Sequence, residues 1–145
     1  MRKREKRPDC TIFLLAKAYQ RGHGLIKPML KQFGLTNMQH LVLEAIWYRE
    51  GCTQAELSRM LILDKATLSG VVDRLADSNW LEKKEDIMDK RSQRLYSTSK
   101  AKENKAALIE IRCKANEELL KDFTHEESVL FKRLLWDLME SGEFP

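Results

Sequence analysis

The chain has 145 residues, of which 43% are hydrophobic, so it can bury one sizeable core and is too short for two ordinary domains. No apolar run approaches the ~20 residues of a membrane span, and no apolar segment follows the basic N-terminus, which argues against a membrane protein and predicts a cytoplasmic one. The three cysteines are widely spaced, which argues against a disulfide framework and against a structural zinc site.

The net charge of +4 is concentrated at the N-terminus. Residues 1–8 contain five of the 26 Lys and Arg residues and one of the 22 Asp and Glu residues, so the remainder of the chain is neutral. We expect this tail to be disordered and to aid solubility, with weak phosphate contact as the alternative. A nucleic-acid function must therefore be argued from where individual cations lie, and not from bulk charge.

The first predicted element is a long helix over residues 9–33, whose apolar face carries Ile12, Leu15, Ala16 and Tyr19. A bend or break is predicted within this helix at Gly22, Gly24 and Pro28. Thr36 and Gln39 form a capping box that begins the next helix, which we expect to stop at Gly51.

Two short helices follow, joined by a tight turn. A capping box at Thr53 and Glu56 starts the first helix, and Asp64 has the position of an N-cap for the second. Helical spacing turns Leu68, Val72 and Leu75 toward the core. The outward residues form a small polar surface that suits a major groove, and they are Lys65, Thr67, Ser69, Gly70, Asp73 and Arg74.

Two strands are predicted next, over residues 80–84 and 93–97, with a charged tip between them. In the second strand Leu95 should face one side while Arg94 and Tyr96 face the other. Asp89 and Arg91 are two residues apart, so we expect their side chains to pair and to hold the guanidinium for a minor groove. The order of elements predicts a winged helix-turn-helix.

Three segments carry a resemblance to a known family: LTNMQHLVLEAI, LSRMLILDKATLSGVVDRL, and DKRS at residues 89–92, which matches a wing motif Asp-x-Arg-Ser. On these the chain resembles the MarR (multiple antibiotic resistance regulator) family of winged-helix transcription factors, from about residue 19 to residue 100. Two positions depart from the family pattern. Ile62 replaces the usual Gly, which predicts a different backbone at the turn, and Gly70 stands where many members have Arg, which removes one base contact.

The predicted fold is mostly α with a small β-hairpin: a winged helix-turn-helix lobe over residues 36–99, flanked by dimerisation helices over residues 9–35 and 100–145. A charged helix from Lys100 to about Phe123 and a last helix capped by Thr124 and Glu127 make up the second flank. The resemblance implies that the first and last helices interlock into a two-fold dimer. The alternative is that their apolar stripes pack within one chain.

The predicted function is a homodimeric, sequence-specific regulator of transcription on a palindromic double-stranded DNA operator, with no cofactor. DNA contacts are predicted for Thr53, Lys65, Thr67, Ser69, Arg74, Asp89, Lys90, Arg91 and Arg94. The resemblance implies a repressor relieved by a small aromatic or phenolic effector bound between the dimer-forming helices and the DNA-reading lobe. Candidate lining residues, which ordinary packing could equally explain, are Tyr19, His23, His40, Trp47 and Tyr48.

Two alternatives stay open: a winged helix used as a protein-interaction module, and a repressor that senses thiol oxidation. The resemblance to the hydroperoxide-sensing branch places its reactive cysteine at Ile12, so Cys10 should face elsewhere and this route is disfavoured. Cys52 and Cys113 are expected to be small buried residues. The histidines are scattered and no catalytic set or metal motif can be assembled, so an enzyme is not expected.

Overall fold

The computed structural model describes residues 8–140, so the predicted tail lies outside the described residues except for Pro8. Within this range the elements are α1 (Thr11–Leu30), α2 (Asn37–Tyr48), β1 (Cys52–Thr53), α3 (Gln54–Leu61), α4 (Lys65–Asp77), β2 (Leu81–Glu85), β3 (Gln93–Ser97), α5 (Ser99–Leu119) and α6 (His125–Glu140). A 3-10 turn, Lys31–Phe33, joins α1 to α2. The predicted fold class, mostly helical with a small antiparallel sheet, is confirmed.

Four helices, α2, α3, α4 and α6, begin where the sequence places their caps. In each case the side-chain oxygen of the N-cap accepts a hydrogen bond from the backbone N–H three residues later, and the pairs are Thr36–Gln39, Thr53–Glu56, Asp64–Thr67 and Thr124–Glu127. These bonds satisfy donors that the first turn of a helix leaves unpaired, which is why short polar residues mark the boundaries so reliably.

The sheet has the order β1-β3-β2, and both pairings are antiparallel. Leu95 at its centre is paired with Cys52 on one side and with Lys83 on the other. Leu95 is fully buried, whereas Arg94 and Tyr96 are half-buried on the opposite face, as the alternation predicts. The two-residue strand β1 was not predicted, because so short a segment has no periodicity of its own.

Of the bend or break predicted in the first helix, the break does not occur. Helix α1 is continuous, with Pro28 inside it. A proline removes the hydrogen bond that its own N–H would donate one turn back, and its ring crowds the carbonyl there, but here both effects fall at the end of the helix, which stops two residues later. The chain then leaves through the 3-10 turn and through Gly34, which has the left-handed φ of 65° that glycine tolerates.

The turn of the helix-turn-helix is the second point of difference. A different backbone was predicted because Ile62 replaces a glycine, yet Ile62 has φ 53° and ψ 47°, the left-handed conformation that glycine would adopt. A β-branched residue in this region is strained. The N–H of Leu63 donates to the Ser58 carbonyl at 3.1 Å, and the Ser58 hydroxyl donates to the Leu63 carbonyl, so the surrounding bonds impose the turn.

The hydrophobic core lies where α2, α3 and α4 pack on one another and on the sheet. Its fully buried members are mainly aliphatic, and include Leu43, Ile46, Leu57, Leu68, Val72, Leu75 and Leu95. Helix α1 packs along α5, which extends the core through Leu30 and Leu108. Helix α6 differs from the others, because none of its residues is buried against the rest of the described chain.

Candidate nucleic-acid interface

Helix α4 presents the two faces predicted from its sequence. Leu68, Val71, Val72 and Leu75 are buried, while Lys65, Thr67 and Arg74 are exposed and Ser69 is half-buried. Gly70 lies on the same outer side, and a Cβ built there would meet nothing within 4 Å. The outer face of α4 is therefore narrow, polar and unobstructed, as entry into a major groove requires.

Two polar side chains on this face are already engaged within the protein. The Thr67 hydroxyl donates to the Asp64 carboxylate at 2.7 Å, which lowers the pKa of Asp64, helped by the Thr67 N–H. Asp73 pairs with Lys83 of β2. By contrast, Lys65 and Arg74 form no ion pair with any described residue, so they remain available to phosphates and base edges.

The loop between β2 and β3, which we call the wing tip (residues 86–92), is held by two aspartates. The Asp86 carboxylate accepts the Met88 N–H at 2.9 Å, and the Asp89 carboxylate accepts the Arg91 N–H at 3.0 Å. The predicted pairing of Asp89 with the Arg91 guanidinium is therefore corrected: Asp89 binds the backbone of Arg91. Because the carboxylate fixes the main chain, the Arg91 side chain is left free and exposed.

Arg94 has a structural position that its strand pattern did not reveal. Its guanidinium donates to the Asp86 carboxylate at 3.0 Å and to the Gly51 carbonyl at 2.8 Å, and so ties the wing to the segment before β1. The Met88 N–H, and then Arg94, hold the pKa of Asp86 below its usual range. These contacts favour a bracing role for Arg94 over the DNA contact predicted from the sequence.

A notch of about 270 Å³ shows how the wing and the two helices are placed together. It is lined by Gln54, Ala55, Lys65, Leu68, Arg91, Ser92 and Gln93. Arg91 of the wing tip thus lies on the same side as Lys65 at the start of α4. Thr53, also predicted to touch DNA, precedes Gln54 and is half-buried, with its hydroxyl engaged by the Glu56 N–H.

Of the five residues predicted to line an effector cleft, two line the large cavity described below and three do not. Tyr19 and His23 form a ring pair on α1 with centroids 5.8 Å apart, and the Asn37 amide donates to the Tyr19 hydroxyl at 3.4 Å. His40 is fully buried on α2. Only Trp47 and Tyr48 line the large cavity described below. Helical spacing alone could not separate these sets, because it does not say which neighbour covers each face.

His40 is buried without a normal hydrogen bond to either ring nitrogen. Burial, reinforced by the nearby Arg112 cation and opposed by the Leu108 backbone, lowers its pKa to about 4. The nearest carboxylate oxygen, on Glu44, is 4.0 Å from Nδ1. His40 is consequently a neutral core residue near neutral pH.

A cavity of about 860 Å³ opens between the C-terminal parts of α2, α3 and α6 and the middle of α5. Its lining combines aromatic and charged side chains with aliphatic ones, and includes Trp47, Tyr48, Trp136, Lys105, Arg112 and Glu44. Arg112 pairs with Glu44, and the Lys105 ammonium lies 5.8 Å from the centre of the Trp47 ring. Sequence reasoning missed the α5 residues, although Lys105, Ile109 and Arg112 recur at helical spacing and could have been recognised as one face.

The cysteines divide by exposure. Cys52 is buried, as expected, and burial raises the pKa of its thiol, with Glu56 adding to the effect. Cys113 is exposed, so the expectation that it is a buried residue is wrong: it falls on the solvent side of α5, beside the half-buried Arg112. Cys10 is also exposed, at the N-cap of α1.

Two features are absent from residues 8–140. No helix there is both long and apolar enough to cross a bilayer. Nor does this part of the chain gather three or more His, Cys, Asp or Glu side chains into a cluster that could hold a metal ion.

A helix-turn-helix with a free polar recognition face, flanked by a hairpin that presents an arginine, defines a winged-helix DNA-binding protein of the transcription-regulator class. A sequence model described as "MarR family" matches residues 33–92. The Escherichia coli transcriptional regulator HosA, from strain E2348/69, is 30% identical over 107 residues, covering 74% of this chain and 79% of HosA. The chain belongs to the MarR family of DNA-binding transcriptional regulators.

Solved structures agree on the fold. A MarR protein from Peptoclostridium difficile matches with a TM-score of 0.83 and 28% identity, over 94% of this chain and 90% of that one. BpsR of Bordetella bronchiseptica, whose DNA binding is described as regulated by 6-hydroxynicotinic acid, matches with a TM-score of 0.83 and 22% identity, over 91% and 94%. The second likeness bears on the fold alone.

Proposed function

We propose that this protein is a homodimeric, sequence-specific repressor that binds a palindromic operator and is released from it by a small aromatic anion. The observation that carries the proposal is the notch that joins Lys65 of α4 to Arg91 of the wing. Because both residues lie on the same side of the winged-helix lobe, α4 could enter a major groove while Arg91 enters the adjoining minor groove. Such a regulator acts in the cytoplasm, where its DNA is.

Dimerisation is supported by apolar surface on the first and last helices. Ile12, Leu14 and Tyr19 of α1, with Val129, Leu130, Leu134 and Trp136 of α6, are each about half exposed or more. Exposed apolar side chains in this number favour an interface, and in the proposed dimer a second copy of the chain covers those of both helices through a two-fold axis. The dimer would place two α4 helices about one turn of DNA apart.

An aromatic anion is the effector class that suits the 860 Å³ cavity. Trp47 and Trp136 offer rings for stacking, and the Lys105 ammonium offers a cation for a carboxylate, whereas Arg112 is already paired with Glu44. The cavity adjoins the end of α3 through Met60 and Leu61, so an occupant could shift the reading lobe relative to α5. The aromatic acid that regulates BpsR has this same chemistry. A coupling of only ~1 to 3 kcal/mol would suffice to release DNA.

The alternatives have weaker support. A protein-interaction module would need apolar side chains on the outer face of α4, which instead carries Lys65, Thr67 and Arg74. Thiol sensing would have to use Cys10 or Cys113, the exposed cysteines. Loss of DNA binding in mild peroxide that is restored by Cys10→Ser or Cys113→Ser would favour thiol sensing over the aromatic effector.

Selection of bound sequences from random duplexes tests the proposal. The wild type should enrich a palindrome with half-sites about 10 base pairs apart, and Arg74→Ala should relax the preference at one position in each half-site. Lys65→Ala is the matched control, because loss of a phosphate contact should weaken all sequences alike. Failure to enrich any sequence would reject the repressor and revive the interaction module.

A further inference from the structure

The wing tip carries two apolar side chains that nothing in the described chain covers. Ile87 is 96% exposed and Met88 is 92% exposed, more than any other large hydrophobic residue in the described range. A single exposed apolar residue is common and has no special meaning. Two adjacent ones at the end of a hairpin, beside the arginine assigned to DNA, call for a physical explanation.

The backbone beneath these side chains is held firmly. The Asp86 N–H donates to the Ser92 carbonyl at 3.0 Å, and the Ser92 N–H donates to the Asp89 carbonyl at 2.9 Å. The two aspartate carboxylates accept the N–H groups of Met88 and Arg91. Because the loop is already ordered, little conformational entropy is lost when its side chains meet a partner.

Charge identifies the partner. Both carboxylates of the wing tip turn back onto its own backbone, and Asp86 also holds Arg94. The side chains that project outward are two apolar ones and two cations, namely Ile87, Met88, Lys90 and Arg91. An apolar protein surface would leave both cations unpaired. A minor groove offers phosphates for the cations and sugar and base-step surfaces for the apolar groups, and Ile and Met are among the residues that wedge into it.

We propose that Ile87 and Met88 enter the minor groove of the operator beside Arg91 and bury apolar surface there, so that the wing bends the duplex as well as holding a phosphate. This inference rests on the proposed function and adds to it. Apolar contact releases no counterions, so its contribution should not depend on salt. Widening the groove is easiest at flexible pyrimidine–purine steps, so the tip would also favour such steps where it makes no hydrogen bond to a base.

The test compares three variants of the full chain on a selected operator across a range of salt concentrations. I87S/M88S should bind about tenfold or more weakly, by the same factor at every salt concentration, and should bend the duplex less when its ends carry a fluorescence energy-transfer pair. I87V/M88L keeps most of the apolar surface and should bind more tightly than I87S/M88S by a factor that does not depend on salt. Arg91→Ala should instead lower the salt slope by about one contact per wing.

Each outcome is decisive. Wild-type affinity and bending in I87S/M88S would overturn the inference while the repressor stands. Full DNA affinity with loss of repression in a reconstituted transcription assay would also overturn it, since the tip would then contact a protein. If the wild type itself bound no duplex, the proposed function would fail and the inference with it. Because both side chains are exposed, unchanged thermal unfolding of the variants verifies that they fold.

Discussion

A residue held in an unfavourable backbone conformation lowers the free energy of unfolding, and Ile62 is the clearest case. Its left-handed φ of 53° costs an L-residue ~1 to 2 kcal/mol. Ile62→Gly should relieve that strain and raise the free energy of unfolding by about 1 kcal/mol after the entropy of glycine in the unfolded chain is counted. Thermal unfolding measures it, with an expected rise in Tm of about 2 to 4 °C.

The matched control for Ile62 is Asn79, which has φ 61° in the turn after α4. Asparagine tolerates the left-handed region, so Asn79→Gly should change the Tm less than Ile62→Gly does. A Tm for Ile62→Gly at or below that of the wild type would show that the isoleucine side chain contributes more than its backbone costs.

His40 makes stability depend on pH in a defined window. Its folded pKa of about 4 lies below the ordinary value of 6.5, so between these pH values the unfolded chain binds the extra proton. Stability conferred by the neutral imidazole is therefore complete above pH 6.5 and falls as the pH drops toward 4, by about 3 kcal/mol in all. Denaturant unfolding at several pH values measures this loss.

His40→Leu should flatten the slope of stability against pH between 6.5 and 4, whatever its effect at neutral pH. His125→Gln, at the exposed start of α6, is the control and should keep the wild-type slope. The three described carboxylates with lowered pKa values, Glu56, Asp64 and Asp86, lose their stabilising contribution as the pH falls toward and below their ordinary values of 4.5 and 3.8, so they add the same slope to every variant at the acid end of this window. If the slope of stability against pH were unchanged in His40→Leu, His40 would not be the source of the pH dependence.

At the scale of an element, α4 is a recognition helix that carries a glycine in its interior. Gly70 costs about 1 kcal/mol of helix stability relative to alanine, and its Cβ position opens to empty space. Gly70→Ala should therefore raise the free energy of unfolding by about that amount without changing DNA affinity. Chemical denaturation and fluorescence anisotropy measure the two quantities separately.

Gly70→Arg probes the function of the same position. The longer side chain has room on the outer face of α4 and should add a contact to the major groove, so affinity should increase and the salt slope should steepen by about one. Gly70→Ala serves as the control for helix stability. Weaker binding by Gly70→Arg would mean that the groove wall lies too close for a long side chain.

At the scale of the whole molecule, α6 is the helix whose apolar side chains depend most on a partner for burial. Leu134 is 49% exposed on a helix with no buried residue. Leu134→Arg should shift the protein from dimer to monomer in sedimentation equilibrium and should weaken operator binding strongly, because two linked half-sites become one. Lys132→Glu, an exposed charge change on the same helix, should leave the dimer intact. A monomeric wild type would contradict the proposal.

The cavity gives a second prediction at this scale. Lys105 lines it beside Trp47, so Lys105→Met should raise about tenfold the concentration of a salicylate-like acid needed to release DNA, with affinity unchanged in its absence. Lys102, exposed on the same helix and outside the cavity lining, provides the control as Lys102→Met. If no aromatic acid shifted wild-type binding, the effector part of the proposal would fail.

Much of the fold follows from local sequence. Caps act over three residues, and helical and strand periodicities over a few more, so Thr36, Thr53, Asp64 and Thr124 mark helix starts with no tertiary information. The outer face of α4 follows from the same local rule. The strand β1 does not, because it depends on pairing with β3, which lies about 40 residues further along the chain.

The sequence by itself determined which residues could read DNA, because a recognition helix and a hairpin tip are local structures whose outward faces follow from periodicity. Only the tertiary structure decided which of them are free to do so. Arg94 bonds to Gly51 across 43 positions, and the cavity of about 860 Å³ takes residues from four helices. Such contacts join segments that are remote along the chain, and their energies depend on distances that no local pattern encodes.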